Sequence, residues 1–420
     1  MGAIELMADA LQQERGFDVE AIRADFPGLH QTVHGYPLVY LDNAASAQCP
    51  QVVIDAVSAH RAHDHSNVHR GVHELSERST KAYEGARDAL RRFLNAGHRE
   101  EIVYTRGTTE SLNLVAAAFA PTVLEPGDEI LVSGMEHHSN IVPWQLVSER
   151  TGARVVAAPI TAAGELDLEA WRRALNSRTK IVAITHVSNA LGTINPVAQL
   201  TREAHAVGAY VVVDGAQAAP HLPIDVQAID CDFYALSGHK MFGPTGIGAL
   251  YGRQRLLEAM PPWQGGGEMI LTVSFEKSTY NALPYKFEAG TPNITGAIGL
   301  GAAIAYLEGL DQTALQRHEA DLLEYATARV LELEHVRIIG TARHKASVLS
   351  FVFDDIHAHD LGTILDQHGV AIRTGHHCAM PIMEFFGVPA TARASFAFYN
   401  TREDIDRLMS GLIKARELFT

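Results

Sequence analysis

Seven short apolar runs between residues 101 and 251 set what this chain can become: Glu101–Thr105, Glu129–Ser133, Arg154–Ile160, Ile181–His186, Tyr210–Asp214, Asp232–Leu236 and Ile247–Tyr251. Most are rich in β-branched or aromatic residues, and most are separated by helix-length segments such as Thr109–Ala120 and Val197–Val207. Strands alternating with helices spell an α/β fold, a mostly parallel central sheet with helices on both faces. The last pair breaks the pattern, because only Ser237 to Gly246 joins Leu236 to Ile247. A parallel crossover needs about a dozen residues or more. One of those two strands is therefore expected to run antiparallel to its neighbour.

Beyond residue 307 the pattern changes to a long helix, short strands near Val348–Phe353 and Val370–Arg373, and a closing helix from Glu403. This predicts a large domain over 30–306 and a smaller α+β C-terminal domain over 307–420. A polar segment, 1–29, precedes them, with helical spacing in Asp18–Phe26. A chain of 420 residues, 47% hydrophobic, can fill such cores. Its net charge of -15 repels phosphate backbones, so no nucleic acid is expected. No apolar stretch has the length of a membrane span. The first residues lack a secretion signal, and Leu6 stands where myristoylation at Gly2 wants Ser or Thr. Cys49, Cys231 and Cys378 are too sparse for a disulfide framework or a zinc knuckle, which predicts a reducing cytoplasm.

The chemistry centres on Ser237-Gly238-His239-Lys240, which opens a glycine-rich turn. A lysine there can form a Schiff base with an aldehyde cofactor while small and hydroxyl neighbours hold a phosphate, the combination that carries pyridoxal 5'-phosphate (PLP). Asp214 ends an apolar run, where open parallel sheets place ligand groups. It can pair with a protonated pyridine nitrogen or simply cap a turn. Arg106-Gly107-Thr108-Thr109-Glu110 can hold phosphate at a helix start or serve as an ordinary cap. His137 can stack on a cofactor ring and relay protons. With His138 it could suggest a metal, but adjacent side chains point apart and no ligand spacing follows, so no metal is expected.

Cys378 lies in Arg373-Thr374-Gly375-His376-His377-Cys378-Ala379-Met380, a loop where a thiol beside histidine and arginine can act as a nucleophile. The alternative is a half-buried structural cysteine, the reading given to Cys49 and Cys231. Arg393 can clamp a carboxylate through its planar fork or form a surface ion pair. His60, His63 and His65 read as solvated.

Together, Leu41-Asp42-Asn43-Ala44-Ala45, His69-Arg70-Gly71, Met135-Glu136-His137-His138-Ser139-Asn140, Thr185-His186-Val187-Ser188-Asn189, Val213-Asp214-Gly215-Ala216-Gln217, Ser237-Gly238-His239-Lys240, Phe287-Glu288-Ala289-Gly290-Thr291-Pro292 and the Cys378 run resemble the Suf-type (type II) cysteine desulfurases. These members of the class V aminotransferase family are also described as selenocysteine lyases. The resemblance implies a PLP enzyme of fold type I that works as a homodimer. It implies Lys240 as the Schiff-base lysine, Asp214 at the pyridine nitrogen, His137 on the ring and Gln217 at the phenolic oxygen. Thr108, Thr109, Ser237 and His239 would bind phosphate, with Thr291 reaching over from the second subunit. Asn189, Arg393 and Arg373 would hold the substrate. Cys378 would take sulfur from L-cysteine as a persulfide and release L-alanine. L-Selenocysteine is a second expected substrate, and a sulfur-acceptor protein supplying iron–sulfur cluster assembly is the expected partner. A lyase dedicated to selenocysteine or cysteine sulfinate, a transaminase, and a non-catalytic sulfur-relay partner are the alternatives. Cys49 stands where relatives often carry lysine.

Overall fold

The computed structural model describes residues 17–419, so the expectations at Gly2 and Leu6 lie outside the described residues. Seven strands form the central sheet: β1 (Ile102–Thr105), β2 (Glu129–Ser133), β3 (Arg154–Ala158), β4 (Thr179–Thr185), β5 (Tyr210–Asp214), β6 (Phe233–Ser237) and β7 (Gly248–Gly252). Their order is β1-β7-β6-β5-β4-β2-β3. β7 pairs antiparallel with both β6 and β1, and the other neighbours pair in parallel. The short Ser237–Gly246 connection leaves no room for a crossover, so the chain turns back on itself.

Successive side chains of a strand point to opposite faces, and here both faces are buried except along the edge strand β3. Tyr234 and Leu236 enter one apolar cluster, with Trp171, while Phe233 and Ala235 enter another, with Phe119 and Trp144. Helices cover both sides, which is why these runs read as continuously apolar. Because β1, β2, β4, β5 and β6 point the same way, Thr105, Ser133, Thr185, Asp214 and Ser237 end on one edge of the sheet, where ligands of such folds bind. Among the described residues no helix is long and apolar enough to cross a membrane.

The C-terminal part holds a second, antiparallel sheet of β8 (Val336–Ile339), β9 (Val348–Phe353), β10 (Arg373–Gly375) and β11 (Thr391–Ser395), ordered β8-β9-β11-β10. Helices Gln312–Val330 and Arg402–Phe419 pack on it. The strand expected over Val370–Arg373 is two strands. Val370–Ala371 pairs in parallel with Val39–Tyr40, whereas β10 pairs with β11. The break comes from the change of partner, and it ties residues 39–41, from the stretch expected to belong to the large domain, to this sheet, with Val39 and Leu41 buried in its core. His60, expected in solvent, is buried instead. Its Nε2 meets Ser79 Oγ at 3.0 Å and its Nδ1 meets Thr295 Oγ1 at 3.1 Å, so both ring nitrogens are satisfied inside the helical layer.

Candidate active site

The strand ends open into a cleft of ≈ 230 Å³. It brings together Thr108, Thr109, His137, Asn189, Asp214, Gln217, Ser237, His239, Lys240, Arg373, Cys378 and Arg393. Of the residues singled out in the sequence, Thr291 lies elsewhere, in a separate cavity with Trp263 and Glu288.

Lys240 ends the short helical turn Gly238–Lys240 directly after β6. Burial lowers its amine to about 8, and Asp214, Arg393 and Cys378 are all close enough to act on it. Asp214 is buried at the tip of β5, and burial raises its carboxyl while Lys240 opposes the shift. Its Oδ1 accepts the Ala216 N–H at 2.9 Å. The next residue, Gly215, is constrained by contact: a Cβ there would sit 2.0 Å from the Tyr234 ring. Gln217 donates to the Ala44 carbonyl at 2.6 Å, which fixes its amide beside the cleft.

His137 lies on the turn after β2. Its Nδ1 accepts the Ser139 N–H at 3.1 Å, so a neutral ring carries its proton on Nε2. Burial, with Lys240 second, lowers the imidazole to about 4, which keeps it neutral at pH 7. At the start of helix Thr108–Leu114, Ser237 Oγ accepts the Thr108 N–H at 2.9 Å and donates to Thr108 Oγ1 at 2.9 Å. That pairing leaves the hydroxyl proton of Thr108 for a ligand.

Arg393 is fully buried on β11, not on the surface. Nη1 donates to the Asn189 carbonyl at 2.9 Å and Nη2 to Asp42 at 3.2 Å. Its Nε is buried without a hydrogen-bond partner, and burial lowers the guanidinium to about 10. A buried cation with an unused N–H fits an anionic ligand. Asn189 donates to the His377 carbonyl at 2.7 Å and so joins Arg393 to the cysteine loop.

Cys378 is exposed on that loop. His377 and Cys378 both have positive φ, 53° and 54°, an uncommon conformation for side-chain-bearing residues. Two hydrogen bonds hold it: the His138 N–H donates to the Cys378 carbonyl at 2.7 Å, and the Met380 N–H donates to His138 Nε2 at 3.1 Å. The turn that carries His137 therefore also carries the anchor of the thiol. Cys231 is buried and Cys49 half-buried, with its Sγ 3.4 Å from the Gly243 carbonyl.

The donor set fits PLP. Lys240 would join its aldehyde, Asp214 would face its ring nitrogen, and Thr108, Thr109, Ser237 and His239 would take its phosphate. Two further residues escaped the residue-by-residue reading. Glu136, fully buried, accepts from Ser133 Oγ, from Asn140 Nδ2 at 2.7 Å and from the Thr185 N–H at 3.0 Å. It thereby ties the His137 turn to the strand beside Asp214. Asp42 pairs with both Arg373 and Arg393. Both lie within the recurring sequence runs, but nothing local marks a partner for either.

A family model described as aminotransferase class-V matches residues 39–408. The cysteine desulfurase of Dickeya dadantii is 51% identical over 403 residues, 96% of this chain and 98% of that protein. That of Synechococcus elongatus is 51% identical over 94% of this chain, which spans only 63% of that protein's length. Among solved structures, the cysteine desulfurase CsdA from Escherichia coli, in its S-sulfonic acid form, matches with a TM-score of 0.90 and 42% identity, over 97% of this chain and 100% of that one. The apo cysteine desulfurase of Thermococcus onnurineus matches with a TM-score of 0.89 and 39% identity, over 95% and 98%. A cleft of this donor set and likeness of this extent agree: the chain belongs to the class-V aminotransferase family and, within it, to the cysteine desulfurases.

Proposed function

We propose that this chain is a PLP-dependent cysteine desulfurase that converts L-cysteine to L-alanine and leaves the sulfur on Cys378 as a persulfide. The observation that carries this reading is one cleft that gathers Lys240, Asp214, Arg393 and Cys378. The reaction balances without an outside oxidant. The substrate C–S bond breaks, an S–S bond forms to Cys378, and the carbon left behind takes a proton.

When bound, PLP supplies an electron sink that makes the α-carbon of an attached amino acid acidic. Lys240, lowered to about 8, is roughly one-tenth free base at pH 7, which suits it to take that α-proton. Asp214, buried at the tip of β5, would face the ring nitrogen. His137, neutral and protonated on Nε2, would lie against the ring and could return a proton inside the cleft. Arg393 holds the substrate carboxylate through the fork whose Nε is unpaired. Cys378 meets the substrate sulfur from the open side, where its exposed thiol can pass the persulfide onward.

The exposure of Cys378 supports transfer to a sulfur-acceptor protein, and the Suf-type sequence runs support iron–sulfur cluster assembly as the destination. L-Selenocysteine is a second substrate on the same reading. Thr291, facing a cavity apart from its own cleft, supports a homodimer in which it completes the partner's phosphate site. The sparse, unpaired cysteines suit the cytoplasm. In the deciding experiment Cys378→Ala retains the coloured cofactor and loses alanine formation from cysteine. Alanine formed at the wild-type rate by that variant refutes the proposal.

A further inference from the structure

A buried ion pair lies behind the loop that carries Thr291. Glu288, just past the turn Tyr285–Phe287, is buried, and so is Arg87 of helix Glu74–Phe93. Glu288 Oε1 accepts from Arg87 Nη1 at 2.6 Å and from the Tyr104 N–H at 2.7 Å, and Oε2 accepts from Arg87 Nη2 at 2.9 Å and from the Tyr83 hydroxyl at 3.1 Å. The guanidinium is fixed in turn: Nη1 also donates to the Ile102 carbonyl at 2.8 Å, Nε donates to Glu84 at 3.0 Å, and Cζ lies 4.4 Å from the centre of the Tyr104 ring. A two-point fork of this kind fixes angle as well as distance. Just beyond it, Gly290 turns the chain at φ 82° and Thr291 stands exposed. Asn293 then caps helix Ile294–Glu308, accepting the Gly296 N–H at 2.9 Å and donating to the Gly246 carbonyl at 2.9 Å. That helix packs so closely on helix Glu74–Phe93 that a Cβ at Gly301 would sit 2.7 Å from the Cβ of Ala86. Both ends of the Thr291 loop are thus keyed to one helix, at the adjacent residues Ala86 and Arg87.

We propose that the Arg87–Glu288 pair is a positioning device that works across the subunit boundary: it sets the place of Thr291, and so the grip on the cofactor phosphate held by the other subunit. The inference rests on the homodimer reading above. Thr108 and Thr109 line the cleft, whereas Arg106 and Glu110 line the cavity that Thr291 faces. The phosphate loop therefore borders both spaces, and two copies that meet at this cavity about a two-fold axis bring each Thr291 to the other's phosphate loop. A hydroxyl serves a phosphate only within hydrogen-bond distance, so a loop displaced by about 1 Å forfeits the contact. Apolar residues of the same volume would hold the loop to the helix about as firmly, because a buried ion pair adds little net stability. What the fork adds is direction, and a contact made with another subunit's ligand depends on direction.

The test uses holoenzyme dimers isolated through a different affinity tag on each chain. The readout is the cofactor that remains on Lys240 during dialysis, fixed there by borohydride and counted per Lys240. Arg87→Lys keeps the charge and loses the fork. From its homodimer the cofactor leaves about tenfold faster than from wild type, the worth of one charge-assisted hydrogen bond. In a mixed dimer of an Arg87→Lys chain with a Lys240→Ala chain, release returns to the wild-type rate, because Thr291 then comes from a native loop. In the converse dimer, an Arg87→Lys/Lys240→Ala chain beside a wild-type chain, release stays fast although the chain that holds the cofactor is unaltered. A role confined to the pair's own subunit gives the reverse pattern, and that result overturns the inference. Release within about twofold of wild type in every dimer overturns it as well. If Arg87→Lys yields no folded dimer, Arg87→Met/Glu288→Leu fills the space without a buried charge and is read in the same combinations. Sedimentation separates the failures: a monomeric holoenzyme removes the homodimer reading and the inference with it, whereas a dimer with the reverse pattern removes the inference alone.

Discussion

Glu136 carries a prediction that turns on its burial. Its carboxyl is raised from 4.5 to about 8, chiefly by burial, with hydrogen bonds from Ser133, Thr185 and Asn140 opposing and the nearby Asp214 assisting. The folded state therefore keeps a proton that the unfolded chain gives up. For a carboxyl raised in this way, the stability it contributes is fully present below pH 4.5 and is lost as pH rises towards 8. Between pH 5 and pH 8 the loss integrates to about 3.5 kcal/mol. Glu136→Gln cannot ionise and is spared it. The glutamine amide must turn an N–H towards Asn140 Nδ2, whose Oδ1 is taken by the Trp144 indole, and that costs stability at every pH. The cost displaces the whole curve and leaves its slope alone. The assay is urea unfolding of both holoproteins at pH 5, 6.5 and 8 at one protein concentration. Relative to wild type, the variant gains about 3.5 kcal/mol from pH 5 to pH 8. Curves that stay parallel within about 1 kcal/mol refute the reasoning, because Glu136 is then already ionised in the fold.

Three further outcomes follow from the geometry. Capture of PLP by cofactor-free protein, read as growth of visible absorbance, accelerates up to about pH 8 and then levels, because the Lys240 amine is lowered to about 8; a rate still climbing towards the ordinary lysine range contradicts this. Gly215→Ala places a methyl 2.0 Å from the Tyr234 ring and lowers stability by about 1–3 kcal/mol, with weaker cofactor retention, measured by thermal unfolding and by dialysis; a variant as stable as wild type shows that the turn beside Asp214 yields. His138→Leu removes the acceptor of the Met380 N–H, so alkylation of Cys378 by iodoacetamide speeds up severalfold, and an unchanged rate shows that the loop does not depend on that anchor.

Much of the central sheet is legible in the chain because its strands, apart from the edge strand β3, are buried on both faces. Such strands appear as compact apolar runs, and β2 and β5 have the bounds their runs suggest. The reversal at β7 is equally local, since connection length alone forbids a crossover. Asp214 and Lys240 are legible for a related reason: they sit at or just past strand ends on the edge where such sheets bind ligands. Where partners are distant, local reading fails. The apolar stretch Val370–Arg373 gives no sign that it serves Val39–Tyr40 first and β11 next. His60 sits at the end of a helix with exposed neighbours, and its partners Ser79 and Thr295 come from other helices.

The charged residues that line the cleft belong to that second class. Asp42 lies 331 residues before Arg373 and 351 before Arg393, so no spacing rule could join them. Arg393 in Thr391-Ala392-Arg393-Ala394-Ser395 is indistinguishable in sequence from an arginine on an exposed strand. Its burial follows from the meeting of two sheets, where Asp42 and Asn189, from loops distant in the chain, cover it. The same meeting hangs the Cys378 loop from His138 and Asn189. On the proposed reading, a nucleophile that must reach a substrate attached at the end of one sheet, yet hand its sulfur to another molecule, needs this arrangement: a backbone pinned to the central sheet's strand-end loops and a thiol left open to solvent. Neither requirement has a periodicity, so the sequence can offer the cysteine but not the geometry that makes it serve both ends.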